Sequence, residues 1–297
     1  LGKYSIRELE RLSGIKAHTI RIWEKRYQLI VPSRSPTNIR SYSDNQLKKI
    51  LNVASLISLG YKISKISEMS KSQMLKILEH NQNELTQTSP AVVNLHQMTQ
   101  SCLNFDERTL DQQITLVIAK TSLIRAFSEV FFPLLSRIGF LWAANKISPA
   151  HEHFLSNKLK QVLYSAMNVG KENELASSPT LLYLPEWEEH EILLLFCNYL
   201  LKHQGNSTIY LGAKVPLPSL IETIKSTKTT RIVTVLTTPN YQKEAQRYLK
   251  KICKQKSIDS ILLCGSMPYK DAFIPLEKTQ WVSDTSEFLQ AISHSSN

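Results

Sequence analysis

The run His18-Thr19-Ile20-Arg21-Ile22-Trp23-Glu24-Lys25-Arg26-Tyr27 restricts what this chain can fold into more than any other stretch. It follows a short apolar-periodic segment, Tyr4 to Leu12, and the break Ser13-Gly14. The pattern predicts helix, tight turn, helix. The second helix carries Arg21, Lys25 and Arg26, with Lys16 and His18 at its start. A basic second helix after a glycine turn is how a helix-turn-helix reads duplex DNA.

Charge supports that reading. The chain has a formal net charge of +11, and residues 1–70 hold thirteen Lys or Arg against five Asp or Glu. Most of the excess therefore lies in under a quarter of the length, which implies a polyanionic partner; a solvated basic face is the plainer alternative. Cys102, Cys197, Cys253 and Cys264 show no CxxC spacing and no clustered histidines. They read as reduced, mostly buried thiols rather than a disulfide framework or a zinc site. No apolar run reaches membrane-spanning length and no signal peptide is recognisable, so a cytoplasmic protein without a membrane partner is expected.

At 297 residues the chain has room for two or three domains. The expected boundaries are 1–72, 73–174 and 175–297. In the first region the segment Val31 to Tyr42, with two prolines and two arginines, reads as a loop or short hairpin, a wing. Ser43-Asp44 then opens a helix that closes at Gly60-Tyr61, and Ile63 to Ile66 begins another. The second region reads as a bundle of four or five helices, broken by the polar stretch Asn81 to Pro90. Pro133 should kink or cap a helix, and Ser148-Pro149 should start one.

The third region alternates apolar strands with helices: Leu181 to Leu184, Thr208 to Leu211 stopped by Gly212, Ile232 to Leu236, Ser260 to Leu263, and a short strand at Trp281-Val282. Continuous apolar strands between helices predict a parallel, doubly wound sheet with a ligand crevice at the strand C-terminal ends. Neither GxGxxG after the first strand nor GxxxxGK[ST] occurs, so dinucleotide and nucleoside-triphosphate fingerprints are absent. The fold class expected is multidomain α and α/β: winged helix-turn-helix, helical bundle and doubly wound parallel sheet.

The segments "YSIRELERLSGIKAHTIRIWEKRY", "PSR" and "IRSYSDNQLKKILNVASLISLGYKISKIS" resemble the winged helix-turn-helix of the MerR family over nearly all of the first region. The resemblance implies that Thr19, Arg21 and Tyr27 lie near the duplex, with Arg34 and Arg40 on backbone phosphates and Lys16, His18, Lys25, Arg26 and Tyr42 beside them. Arginine offers a planar donor fork to phosphate or guanine, and threonine a hydroxyl to phosphate. Trp23 reads as packing under the wing, whereas Tyr27 is open between core and contact. The chain lacks the single long dimer helix and short Cys-bearing loop of metal-responsive members, which argues against a metal sensor.

Two further signals are weak alone. Trp142 is followed, after nine residues, by Glu152-His153, and Glu188-x-His190 lies just past the first strand of the third region. A tryptophan in a bundle is usually core, and a histidine near a strand end is usually a surface residue. Behind a MerR-like region, in this order, they resemble the cobalamin-binding MerR regulators of the CarH/LitR type, over essentially the whole chain. That resemblance implies a cobalamin-binding, Rossmann-like sheet domain. It places Trp142, Glu152 and His153 near the upper axial group of adenosylcobalamin, and His190 as cobalt ligand with Glu188 behind it. A later hydroxyl falls on Thr237 or Thr238, and the glycine pair that admits the nucleotide tail falls on Cys264-Gly265. Two positions depart from the pattern: Leu193 and Cys264 stand where the motif has glycine.

The function expected is a DNA-binding transcriptional regulator, not an enzyme. Its C-terminal half would sense a ligand such as adenosylcobalamin, with light as a releasing signal, and set oligomeric state. Expected partners are double-stranded operator DNA, further copies in a dimer or tetramer, and RNA polymerase. The alternative is a degenerate cobalamin-like domain that binds no cobalamin and serves oligomerisation or another ligand. A cobalamin-dependent mutase or methyltransferase is the reading from another class; no catalytic barrel fits beside the first seventy residues, and no nucleophile–base pair is visible.

Overall fold

The computed structural model describes residues 4–34, 38–81, 90–143, 145–167, 178–238, 241–266, 270–271 and 273–293. The wing tip at 35–37 and most of the polar stretch expected to break the bundle, 82–89, lie outside them. The chain forms two compact units, Leu1–Lys158 and Leu159–Asn297.

The first unit begins with α1 (Ile6–Ser13) and α2 (Ala17–Tyr27). Ser5 caps α1 through a reciprocal box with Glu8, and Gly14 takes the left-handed conformation that ends it. The wing follows as β1 (Ser33–Arg34) paired antiparallel with β2 (Arg40–Ser41), then α3 (Asp44–Ser58) and α4 (Ile63–Ser67). Leu9, Leu12, Ile20, Leu47, Ile50 and Leu51 are buried in this region, each contributing about 1.5–3 kcal/mol relative to exposure. Trp23 joins them as core, as the sequence suggested.

The helical part contains α5 (Lys71–Asn81), α6 (Pro90–Asn104), α7 (Glu107–Lys120), α8 (Leu123–Ala126), α9 (Phe132–Ala143) and α10 (Pro149–Met167). Pro133 lies in the first turn of α9, at the helix start where the sequence allowed it. The chain runs from α8 into α9 through one π-helical stretch, Phe127–Phe131, where the Phe132 N–H reaches back to the Phe127 carbonyl. Proline lacks an N–H, and in an α-helix its ring would strike the carbonyl four residues back; the wider turn absorbs both problems. Helix α10 starts at Pro149, as expected.

The helical part is joined to the winged domain by polar as well as apolar contacts. Asn52 on α3 accepts from Gln100 on α6 at 2.6 Å, and Ser55 meets His96 at 3.3 Å. Burial, with the Arg137 charge nearby, pushes His96 down to about 3, so it sits neutral in the joint. Arg11 on α1 lies 3.9 Å from the Phe140 ring centre, and Lys146 pairs with Glu8. Arg11, one cation of the basic first region, thus packs in the joint.

The second unit is a five-stranded parallel sheet in the order β4-β3-β5-β6-β7. Its elements are β3 (Thr180–Pro185), α11 (Glu191–His203), β4 (Thr208–Val215), α12 (Leu217–Thr227), β5 (Arg231–Leu236), α13 (Gln242–Cys253), β6 (Ser260–Gly265), β7 (Thr279–Trp281) and α14 (Thr285–Ser293). Strand β4 does not stop at Gly212. It continues to Val215 through a register shift, with Gly212 at φ +76° supplying the bulge. The odd-numbered face of β3, with Ile232, Leu236, Ile261 and Leu263, packs against α12 and α13. The alternate residues Leu182, Leu184, Val233, Val235, Leu262 and Cys264 point the other way and are also buried. That double burial is why the strands read as unbroken apolar runs.

The connection leaving β3 runs to one side of the sheet, to β4, whereas that leaving β5 runs to the other, to β6. Right-handed crossovers then place α11 on one face and α13 on the opposite face. The order reverses between β3 and β5, and the crevice of a doubly wound sheet opens at the C-terminal ends of those two strands.

Candidate nucleic-acid interface and ligand site

Helix α2 turns His18, Arg21, Lys25 and Arg26 to solvent, with Lys16 exposed ahead of it and Thr19 and Tyr27 half-exposed. Ile22, which the charge pattern did not single out, is 53% exposed between them. Its i, i+4 spacing from His18 and Arg26 sets one apolar side chain in a basic face, where a thymine methyl is the matching contact. Arg34 is exposed on the wing and donates to Asn38 at 2.6 Å.

One expected contact, Tyr42, is corrected, and Arg40 has an intramolecular partner. Tyr42 is 1% exposed, and its hydroxyl donates to Glu24 on α2; its backbone pairs with Tyr4 in both directions at 2.8 Å. It is scaffold and cannot reach a duplex. Arg40 is half-buried and pairs with the same carboxylate at 3.2 Å. Glu24 therefore clamps the wing to the helix beside it, spending Arg40's Nε on an intramolecular bond. The sequence signal for this role is the charge match of one acid in an otherwise basic helix.

In the second unit, residues from the two strands flanking the reversal converge. Glu188 follows β3 and is fully buried. Its Oε2 accepts from the Thr237 and Thr238 N–H groups after β5, at 2.6 and 2.7 Å. Its Oε1 accepts from the Thr238 hydroxyl at 2.9 Å and lies 2.5 Å from His190 Nδ1. Burial alone would raise this carboxyl; the His190 bond and the Thr238 and Thr237 N–H groups outweigh it and hold the group well below the usual carboxylate range.

An ionised carboxylate beside Nδ1 favours a proton on that nitrogen and fixes the ring's orientation. The His190 side chain is 56% exposed. Among the described residues no three His, Cys, Asp or Glu side chains converge on a bare metal ion. Of the two expected hydroxyls, Thr238 serves Glu188, whereas Thr237 Oγ1 is buried without a hydrogen-bond partner.

The remaining expected residues divide by unit. Trp142, at the end of α9 in the first unit, is 45% exposed, which excludes the ordinary core role of a bundle tryptophan. On α10 of the same unit His153 Nδ1 lies 3.1 Å from Glu152, with the histidine largely exposed. Gly265 ends β6 at φ +138°, and a Cβ there would lie 2.1 Å from the Leu236 carbonyl oxygen. The neighbouring strand alone requires that glycine, whatever ligand approaches.

Residues 4–73 match the MerR HTH family regulatory protein model, and residues 95–165 match the B12 binding domain model. The chain thus joins a segment that matches a MerR-type helix-turn-helix to a segment that matches a B12-binding region. The regulator is 28% identical over 221 residues to the HTH-type transcriptional repressor CarH of Myxococcus xanthus, covering 73% of each chain. It is 29% identical over 226 residues to the HTH-type transcriptional repressor CarA of the same organism, covering 72% of the regulator and 70% of that protein. In structure it is similar to the monomethylamine corrinoid protein of Methanosarcina barkeri, with TM-score 0.53 and 11% identity over 66% of the regulator and 95% of that chain. At that identity the likeness is one of fold. The helix-turn-helix match spans the exposed basic face of α2 and its wing, and the expected cofactor residues fall on both units.

Proposed function

We propose that this regulator binds operator DNA through α2 and the wing, and that its C-terminal half senses an adenosylated corrinoid of the adenosylcobalamin kind. Occupancy would set the oligomeric state, a dimer or tetramer, and through it operator affinity in the cytoplasm. The observation that carries the sensory half is the Glu188–His190 pair at the strand-order reversal, a half-exposed imidazole held by an ionised, buried carboxylate. His190 would supply the lower axial nitrogen and Thr238 would hold Glu188. Trp142, Glu152 and His153 would face the upper axial group. The Thr237 hydroxyl, buried and unpartnered, is a polar group still to be satisfied, which also favours a ligand here. The bound group would supply a light-sensitive metal–carbon bond, so darkness and light would be opposite signals. RNA polymerase is the further partner proposed at the promoter.

The experiment is a titration of purified protein with adenosylcobalamin and related adenosylated corrinoids in the dark. Visible spectra, subunit count and operator affinity are followed before and after illumination. A corrin spectrum that co-elutes with protein and changes in His190→Ala is expected. No co-eluting corrin absorbance with any of them would overturn the sensory part. A second reading is favoured by Leu193 and Cys264, where the resembling motif has glycine: the sheet domain keeps its fold, binds no corrinoid and serves assembly. Identical subunit count and operator affinity with and without corrinoid would establish that reading instead.

A further inference from the structure

We infer that the regulator selects a corrinoid without the lower nucleotide tail, because side chains fill the space beneath His190 that such a tail needs. The inference rests on the proposed corrinoid site. In free cobalamin a benzimidazole nucleotide, tethered to the corrin rim, occupies the lower coordination position. If His190 takes that position the nucleotide is displaced but stays tethered, and it has to enter the protein beside the imidazole. His190 stands at the N-cap of α11, at the end of the short loop that follows β3. Beneath it are two routes, one on each face of the sheet.

Both routes are closed. On the α11 face, Leu184, Val235 and Cys264 of the strands and Leu194 and Cys197 of the helix are all 5% exposed or less. Val235 and Cys264 are paired in register, and the buried Cys264 and Cys197 thiols are neighbours across the layer. Glycine at 264 would remove one side of that contact and open the strand–helix gap. Leu193 is half-buried three residues after His190, so it shares the histidine's side of the helix one turn on. On the opposite face Trp187 stacks on Tyr241 with ring centres 5.6 Å apart and meets Tyr248 edge-on at 5.3 Å. A close-packed interior admits no aromatic nucleotide without displacing side chains, whereas the His190 side chain above it is 56% exposed.

The test compares adenosylcobalamin with adenosylcobinamide, which has the same ring and upper group but no nucleotide, by equilibrium dialysis and visible spectra in the dark. The full chain should bind adenosylcobinamide at least tenfold more tightly. The double substitution Leu193→Gly and Cys264→Gly should tighten adenosylcobalamin at least tenfold while leaving adenosylcobinamide within twofold. Leu193→Ala alone, which keeps helix propensity, should move the ratio in the same direction, and circular dichroism checks that each variant is folded. Equal or tighter binding of adenosylcobalamin by the unsubstituted chain overturns the inference while leaving the corrinoid site intact. Binding of neither compound by folded protein overturns the site and the inference together.

Discussion

Glu188 Oε1 and His190 Nδ1 lie 2.5 Å apart, although the carboxylate is fully buried and the imidazole is more than half exposed. The pair spans the boundary between protein interior and solvent. The interior partner is fixed by backbone N–H groups after β5, and it fixes the outer one. The partly exposed ring thus acquires a defined orientation.

The Glu188 carboxyl is held below its ordinary range by hydrogen bonds that exceed its burial penalty. In the unfolded chain it titrates near about 4.3. The unfolded state therefore binds more protons in acid. The stabilisation is complete above about pH 4.3 and is lost as pH falls further towards the folded value. Glu188→Gln should cost about 2–3 kcal/mol near pH 7, since charge-assisted hydrogen bonds are replaced by weaker ones. It should also flatten the acid limb of stability. Denaturant melts from pH 3 to pH 7 measure both, and a variant with an unchanged acid limb would contradict the assignment.

Arg21 is exposed on α2. Arg21→Ala should weaken operator binding by about 1–3 kcal/mol and lower the salt dependence by about one phosphate contact. Tyr42→Phe should behave differently. It removes a hydroxyl that Glu24 accepts from inside the fold, so about 1 kcal/mol of stability is lost with little change in salt slope. Binding isotherms at several salt concentrations, read beside thermal melts, distinguish the two.

Trp142→Ala removes a side chain that is nearly half exposed. Stability should change by no more than about 0.5 kcal/mol, while any corrin spectrum should shift. A core-sized loss of about 3 kcal/mol or more in chemical denaturation would return Trp142 to a packing role.

Gly265→Ala should unfold or severely destabilise the sheet domain, by more than about 3 kcal/mol, with no ligand present. The added methyl meets the Leu236 carbonyl at 2.1 Å, and the residue adopts a φ of +138° that side chains rarely take. A normal melting curve for this variant would contradict the geometry.

Much of the architecture was legible because local signals agreed. The Ser5-x-x-Glu8 and Ser43-x-x-Gln46 boxes mark two helix starts that the apolar period had already suggested. Leu181 to Leu184 reads as buried strand because both its faces are covered. Glu188-x-His190 was legible as a pair because two residues of spacing after a strand end allow a side-chain contact within one loop. Thr238 was only one of two candidates, since nothing local distinguishes adjacent threonines. The choice is made by the hydroxyl that reaches Glu188 from fifty residues away. Gly212 misled because glycine ends a strand and bulges one equally well, and only pairing with β3 decides.

The sequence by itself determined the helix-turn-helix with its basic face, the alternation that builds a parallel sheet, and the residue types at the candidate ligand site. These follow from periodicity, capping and charge, which act over a few residues. Only the tertiary structure decided that Tyr42 is buried against Glu24, that Arg40 pairs with the same carboxylate, that Trp142 is exposed, and that the layer under His190 is filled by Cys197 and Cys264. Exposure and close packing are set by residues distant in the chain, and no local pattern encodes which side of a helix or strand a distant partner will cover.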